Sequence, residues 1–227
     1  MTNFVLVHGA WGGNHTYGEV PSRLEAAGHN VCNCTLRGLG SRQDELHPGI
    51  TLSDHIDDVC EQVEAAGFGR FILAGHSYGG MVITGVASRL GKNIDAICYI
   101  DAFWPDDDQS LWDITGDFEH NWYVDSQRHN PGMVTPIGFP GEFTVQPGVR
   151  GYHPLLSLLE AIPLSGDQDL IPRKSYIFAA GYQPTPFPRF AEKAKALGAD
   201  YHETNTDHFV MENDPDTTTK VLLGLAE

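Results

Sequence analysis

What most restricts how this chain can fold is a series of short, wholly apolar segments, each parted from the next by a longer helical pattern. Phe4-Val5-Leu6-Val7 carries no polar side chain on either face. A strand of that kind is buried on both sides, the condition of a parallel sheet covered by helices. A helical pattern at residues 21–27 is stopped by Gly28, and residues 31–36 read as the next strand. Thr51-Leu52-Ser53-Asp54 opens a helix expected to reach about residue 66, with Gly67 as its stop. A strand at 71–74, a helix at 79–90 and a strand at 94–100 continue the series. Strand–helix alternation predicts an α/β architecture.

The rhythm breaks after Asp101. Residues 102–173 hold three of the four tryptophans (Trp104, Trp112 and Trp122), and only 155–162 has a helical pattern. That is too much chain for a plain loop in a compact domain. The expected organisation is a core of residues 1–101 and 174–227, with 102–173 inserted as a lid over the carboxyl edge of the sheet. Strands at 175–180 and 200–204 and helices at 188–197 and 215–225 complete the core.

At 227 residues the chain suits one large domain. A net charge of −16 opposes binding to nucleic acid or to an anionic membrane surface. No window approaches the roughly 20 apolar residues of a membrane span. Met1-Thr2-Asn3 lacks the basic start of a secretory signal, so a cytoplasmic location is expected. Cys32, Cys34, Cys60 and Cys98 form no zinc-binding pattern. Cys32 and Cys34 share one face of a strand, whose geometry does not favour a bond between them. A homodimer is compatible with the sequence, which does not select an oligomeric state.

The chemistry is concentrated at Gly75-His76-Ser77-Tyr78-Gly79. The pattern G-x-S-x-G follows the strand at 71–74 directly and opens the helix at 79–90. In that setting the serine sits on a tight, strained turn, with its hydroxyl above the sheet at a helix N-terminus. A serine hydroxyl needs a base to take its proton, and in this motif class the partners follow as Ser, then Asp or Glu, then His. Chain order sets aside His8, His15, His29, His47, His55 and His76. His120, His129 and His153 fall in the expected lid, and His202 lies within a strand. His208, in Asn205-Thr206-Asp207-His208-Phe209 after the last strand, is the expected base.

The acid in the commonest layout follows the strand at 175–180, but Gly181-Tyr182-Gln183-Pro184 offers no carboxylate. Asp101, at the end of Ile97-Cys98-Tyr99-Ile100, is the expected acid, with Asp107 or Asp108 as alternatives. Acyl transfer also needs backbone N–H donors for the oxyanion. The Tyr78 amide is one candidate. The other comes from His8-Gly9-Ala10-Trp11-Gly12-Gly13, with Ala10 preferred and Trp11 second. That loop lacks the glycine spacing of a nucleotide cradle, so no cofactor and no metal are expected. Trp11, Trp104 and Tyr182 are candidate substrate contacts for an apolar small molecule.

On these residues the chain resembles the small α/β hydrolases that include plant hydroxynitrile lyases, methyl-salicylate-type esterases and bacterial pyrethroid or carbamate esterases. The likeness runs through Phe4 to Trp11, Gly75 to Gly80, Tyr99-Ile100-Asp101-Ala102-Phe103-Trp104-Pro105 and Asp207-His208. It implies an α/β-hydrolase fold and hydrolysis of a carboxylic ester, lactone or carbamate through an acyl-enzyme. Two departures bear on the chemistry. An acid at Asp101 resembles the layout of haloalkane dehalogenases and lactone-cleaving relatives, whereas the plant members carry theirs after the later strand. The hydroxynitrile lyases have a threonine where this chain has Gly9 and a lysine where it has Phe209, which turns the expectation away from cyanohydrins. Dehalogenases need a carboxylate nucleophile where Ser77 stands. A lyase-type use of the same residues and a ligand receptor with idle ones are the alternatives.

Overall fold

The apolar runs form the middle of one sheet. In the computed structural model, which describes residues 1–137, 145–181 and 184–227, the strands are β1 (Asn3–Val7), β2 (Asn30–Cys34), β3 (Phe71–His76), β4 (Ile94–Ile100), β5 (Met133–Val134), β6 (His153–Pro154), β7 (Arg173–Ala179) and β8 (Asp200–Thr204). Six of them make a parallel sheet in the order β2-β1-β3-β4-β7-β8, and β5 and β6 form a separate antiparallel pair. β3 is buried at every position, while the edge strands β2 and β8 are largely half-exposed.

Alternate residues of the central strands enter different cores, as the two-residue period requires. Val5, Val7, Leu73, Ile97 and Tyr99 pack on one face with α2 (Leu52–Ala65), α3 (Gly79–Leu90) and α6 (Pro188–Ala196). Phe4, Leu6, Ile72, Ala74 and Ile100 pack on the other with α1 (Val20–Ala26) and α8 (Pro215–Leu225). Each such aliphatic side chain taken from water contributes about 1.5–3 kcal/mol.

Strand order creates the place for a site. From β1 the chain moves outward to β2, then returns to the other side of β1 as β3 and continues through β4, β7 and β8. The connections leaving β1 and β3 therefore diverge, which opens a crevice at their carboxyl ends. Val7 pairs in register with Gly75, so the loop beginning at His8 and the turn at Ser77 emerge side by side.

The segment between β4 and β7 departs from the sequence expectation. α4 (Asp117–Ser126) has no apolar stripe that would announce it. It is set by its ends: the Gly116 N–H donates to Glu119, and the Ser126 hydroxyl meets that of Thr135 at 3.2 Å. The helix expected at 155–162 is confined to α5 (Leu156–Leu159). Beyond it Glu160 turns away to accept the N–H and hydroxyl of Ser53 at the start of α2, and Ile162 bridges to Gln109. A further short helix, α7 (Val210–Asn213), follows His208. Among the described residues no helix is long and apolar enough to cross a membrane.

Candidate active site

Ser77 ends the strand–turn–helix passage from β3 to α3 with φ +54°. Trp11 and Asp101, just past the ends of β1 and β4, also have positive φ, at +62° and +41°. Non-glycine residues held this way store strain of order 1–3 kcal/mol each, which surrounding contacts must offset. For Ser77 those contacts are its N–H donated to Ile100 O at 3.3 Å and its carbonyl accepting from Gly80 and Phe103 at 2.9 and 3.2 Å. The Asp101 N–H donates to Ile177 O at 2.7 Å. Glycines allow the turn. A Cβ on Gly75 would lie 2.7 Å from Gly79 O, and one on Gly79 would lie 2.6 Å from Val7 O.

Asp101 and His208 meet. His208 Nδ1 is 2.7 Å from Asp101 Oδ2, while Asp101 Oδ1 accepts the Ala179 N–H at 3.2 Å. The Asp101 side chain is 1% exposed and that of His208 16%. Burial acts against charge on both. It lowers the imidazole to about 4, partly opposed by Asp207. It raises the Asp101 carboxyl to about 7, opposed first by the Ala179 N–H. The His208 Nδ1–H points at the carboxyl oxygen and favours its ionised form, so the arrangement is a neutral imidazole on a carboxylate. Phe187 stacks on the His208 ring at 4.9 Å.

The other carboxylates considered from sequence are engaged elsewhere. Asp106 pairs with Lys193, Asp107 accepts the Leu164 N–H, and Asp108 is exposed. Asp207 accepts the Phe209 N–H and the Asn213 side-chain amide.

On the other side of Ser77 lie the two backbone segments considered as oxyanion donors. Among the described residues neither the Ala10 nor the Tyr78 N–H is bonded to a carbonyl. Each segment is held by a buried histidine that sequence order had set aside. His8 donates Nδ1–H to Gly9 O at 2.7 Å and accepts the Leu36 N–H at Nε2. His55 donates Nε2–H to Arg37 O at 3.0 Å, which leaves Nδ1 to accept the Tyr78 hydroxyl at 2.8 Å. Burial keeps both neutral, lowering His8 to about 3 and His55 to about 4. The sequence did carry a signal for His55, which falls on the apolar stripe of α2 with Leu52, Ile56, Val59 and Val63.

The candidate substrate contacts divide. Trp11 is half-buried, and its indole N–H donates to Val134 O at 3.0 Å. Trp104 is 6% exposed and stacked on Tyr99 at 4.3 Å, with Lys193 Nζ over its ring. Tyr182 lies outside the described residues. Among the described residues no group of three His, Cys, Asp or Glu side chains is disposed to hold a metal ion.

A parallel sheet with a serine at the β3–α3 turn and an Asp–His pair from later strands is an α/β-hydrolase arrangement, and comparison agrees. Residues 4–221 match the alpha/beta hydrolase family. The chain is 35% identical over 209 residues to a carbendazim hydrolyzing esterase of Nocardioides sp. (strain SG-4G), covering 85% of this chain and 86% of that one. An extracellular alpha/beta-hydrolase from a Paenibacillus species superposes with a TM-score of 0.83 at 22% identity, over 99% of both chains. A pyrethroid hydrolase from Sphingobium faniae JZ-2 gives 0.76 at 19%, over 99% of this chain and 97% of that one. These two structures attest the fold. This protein belongs to the α/β hydrolase family. It is a hydrolase of the carboxylesterase kind.

Proposed function

We propose that the protein is a serine hydrolase that cleaves a carboxylic ester, lactone or carbamate of an apolar small molecule through an acyl-enzyme. The observation that carries the reading is the 2.7 Å contact between Asp101 and His208, at the sheet edge from which Ser77 also emerges in a left-handed turn. In this mechanism the neutral His208 imidazole takes the Ser77 hydroxyl proton at Nε2 as Oγ adds to the substrate carbonyl carbon. Asp101 fixes the Nδ1–H tautomer and stabilises the imidazolium. The Ala10 and Tyr78 N–H groups bind the oxyanion, at the N-terminal end of α3 where the helix dipole favours negative charge.

Collapse of the tetrahedral intermediate breaks the bond to the leaving alkoxide, which takes the proton from His208. Water then gives a proton to His208 and adds to the acyl carbon, and Ser77 Oγ departs with that proton. In this reading the described residues between 102 and 173 act as a lid over this edge. The carbendazim hydrolyzing esterase at 35% identity supports ester-type substrates.

The test is turnover of p-nitrophenyl acetate and butyrate by the wild type and by Ser77→Ala. The variant is expected to fall to background while keeping its circular dichroism spectrum. A wild type no faster than Ser77→Ala would overturn the reading. Cyanide release from mandelonitrile, abolished by the same substitution, would replace hydrolysis with lyase chemistry.

A further inference from the structure

His76 fills the first free position of Gly-x-Ser-x-Gly, yet it is 2% exposed and has no place in the order Ser, Asp, His. Burying an imidazole is unfavourable unless its nitrogens find partners. One does: His76 Nε2 lies 2.8 Å from the backbone carbonyl of His208. A carbonyl only accepts, so Nε2 carries the proton and Nδ1 is a bare lone pair. Nδ1 has no hydrogen-bond partner among the described residues. It faces Gly9, where a Cβ would stand 3.1 Å from Nδ1 and 2.9 Å from Ser77 Cβ. The His76 and His208 rings are 4.5 Å apart. His76 is thus wedged between the first-strand loop and the His208 main chain.

We infer that His76 is a positioning residue, whose Nε2–H holds the backbone of His208 at the depth where its ring faces both Asp101 and Ser77. The inference rests on the Ser77–His208–Asp101 reading above. The contacts of Asp101 and Phe187 act on the ring of His208, whereas this bond acts on its main chain. A neutral donor suits the place. An imidazolium forms on His208 during turnover, and a second cation one ring away would oppose it. Burial lowers His76 to about 3, which keeps it uncharged.

Side-chain reach provides the experiment. A glutamine amide nitrogen extends about as far as Nε2, whereas that of asparagine stops near Nδ1. With p-nitrophenyl acetate, His76→Asn is expected to lose about 10–100-fold in kcat, the scale of a misplaced catalytic group, with KM changed less than about threefold. The acid limb of its kcat/KM profile moves to higher pH as the released His208 ring gains solvent. His76→Gln recovers most of kcat and restores the limb. Should His76→Asn not fold, His76→Phe fills the ring's space without a donor and carries the same comparison.

Equal kcat in the asparagine and glutamine variants, or a loss confined to KM, overturns the positioning role. So does equal loss in both with an unmoved pH limb. Ser77→Ala run alongside separates the two claims. If it keeps wild-type turnover, the serine mechanism falls. If it is inactive while His76→Asn is unimpaired, only the role of His76 falls.

Discussion

Ser77, Asp101 and Trp11 share a backbone conformation that L-residues avoid, and all three lie just beyond the ends of neighbouring parallel strands. Strain at such points persists only where neighbouring bonds over-determine it, as those from Ile100, Phe103 and Ile177 do here. The same bonding gives Asp101 a directional role. The Ala179 N–H requires an acceptor at Oδ1, so the amide of Asp101→Asn would direct its NH2 at His208 Nδ1. Nδ1 would become an acceptor, Nε2 would carry the proton, and the proposed base would be blocked. A fall in kcat of about 10⁴-fold with an intact fold is expected, the scale set by a wrong-tautomer histidine. Steady-state kinetics on p-nitrophenyl acetate check it. Near-full activity in Asp101→Asn, with loss on substituting Asp107 or Asp108, would reassign the acid.

Among the helices, α2 shows how one element serves both stability and the site. Thr51 accepts the Asp54 N–H at 3.2 Å while the Asp54 carboxylate accepts the Thr51 N–H at 2.8 Å, a reciprocal cap. From that start the helix carries His55 to the Tyr78 hydroxyl. It also brings the buried Asp58 to Arg42, at 2.8 Å. Thr51→Ala is expected to cost about 1 kcal/mol, the usual value of such a cap, read as a lower urea midpoint at unchanged slope. Unchanged stability would mean that Glu160, on Ser53, is sufficient to hold this end. α2, with its cap, apolar stripe and glycine stop, was legible in the sequence, and α3 and α8 were legible from their place in the strand–helix alternation. α4 was not, because its stability comes from contacts at its ends that no periodicity records.

At the scale of the whole molecule, four buried histidines and the partly exposed His208 stay neutral: His8, His55, His76, His153 and His208 each have a pKa lowered by desolvation. Unfolded, they titrate near 6.5. The unfolded chain therefore binds more protons below that pH, and stability rises with pH through the window from about 4 to 6.5. Asp101 acts in the opposite sense. Its raised pKa favours the folded state at low pH, and that contribution is lost as pH rises through about 7. Five groups outweigh one, so the thermal midpoint is expected to fall steeply as pH drops from 6.5 toward 4.5. Differential scanning fluorimetry across that range measures it, and a flat profile would contradict neutral burial. By itself the sequence determined the α/β class, the turn at Ser77 and the candidates His208 and Asp101, because apolar runs, glycine spacing and chain order are local properties. Only the tertiary structure decided that His8, His55 and His76 bond to Gly9, Tyr78 and His208, that Trp104 stacks on Tyr99, and which carboxylate meets His208. Those contacts join residues distant in the chain, such as Asp101 with His208 and His55 with Tyr78, through strand order and burial that no local pattern encodes.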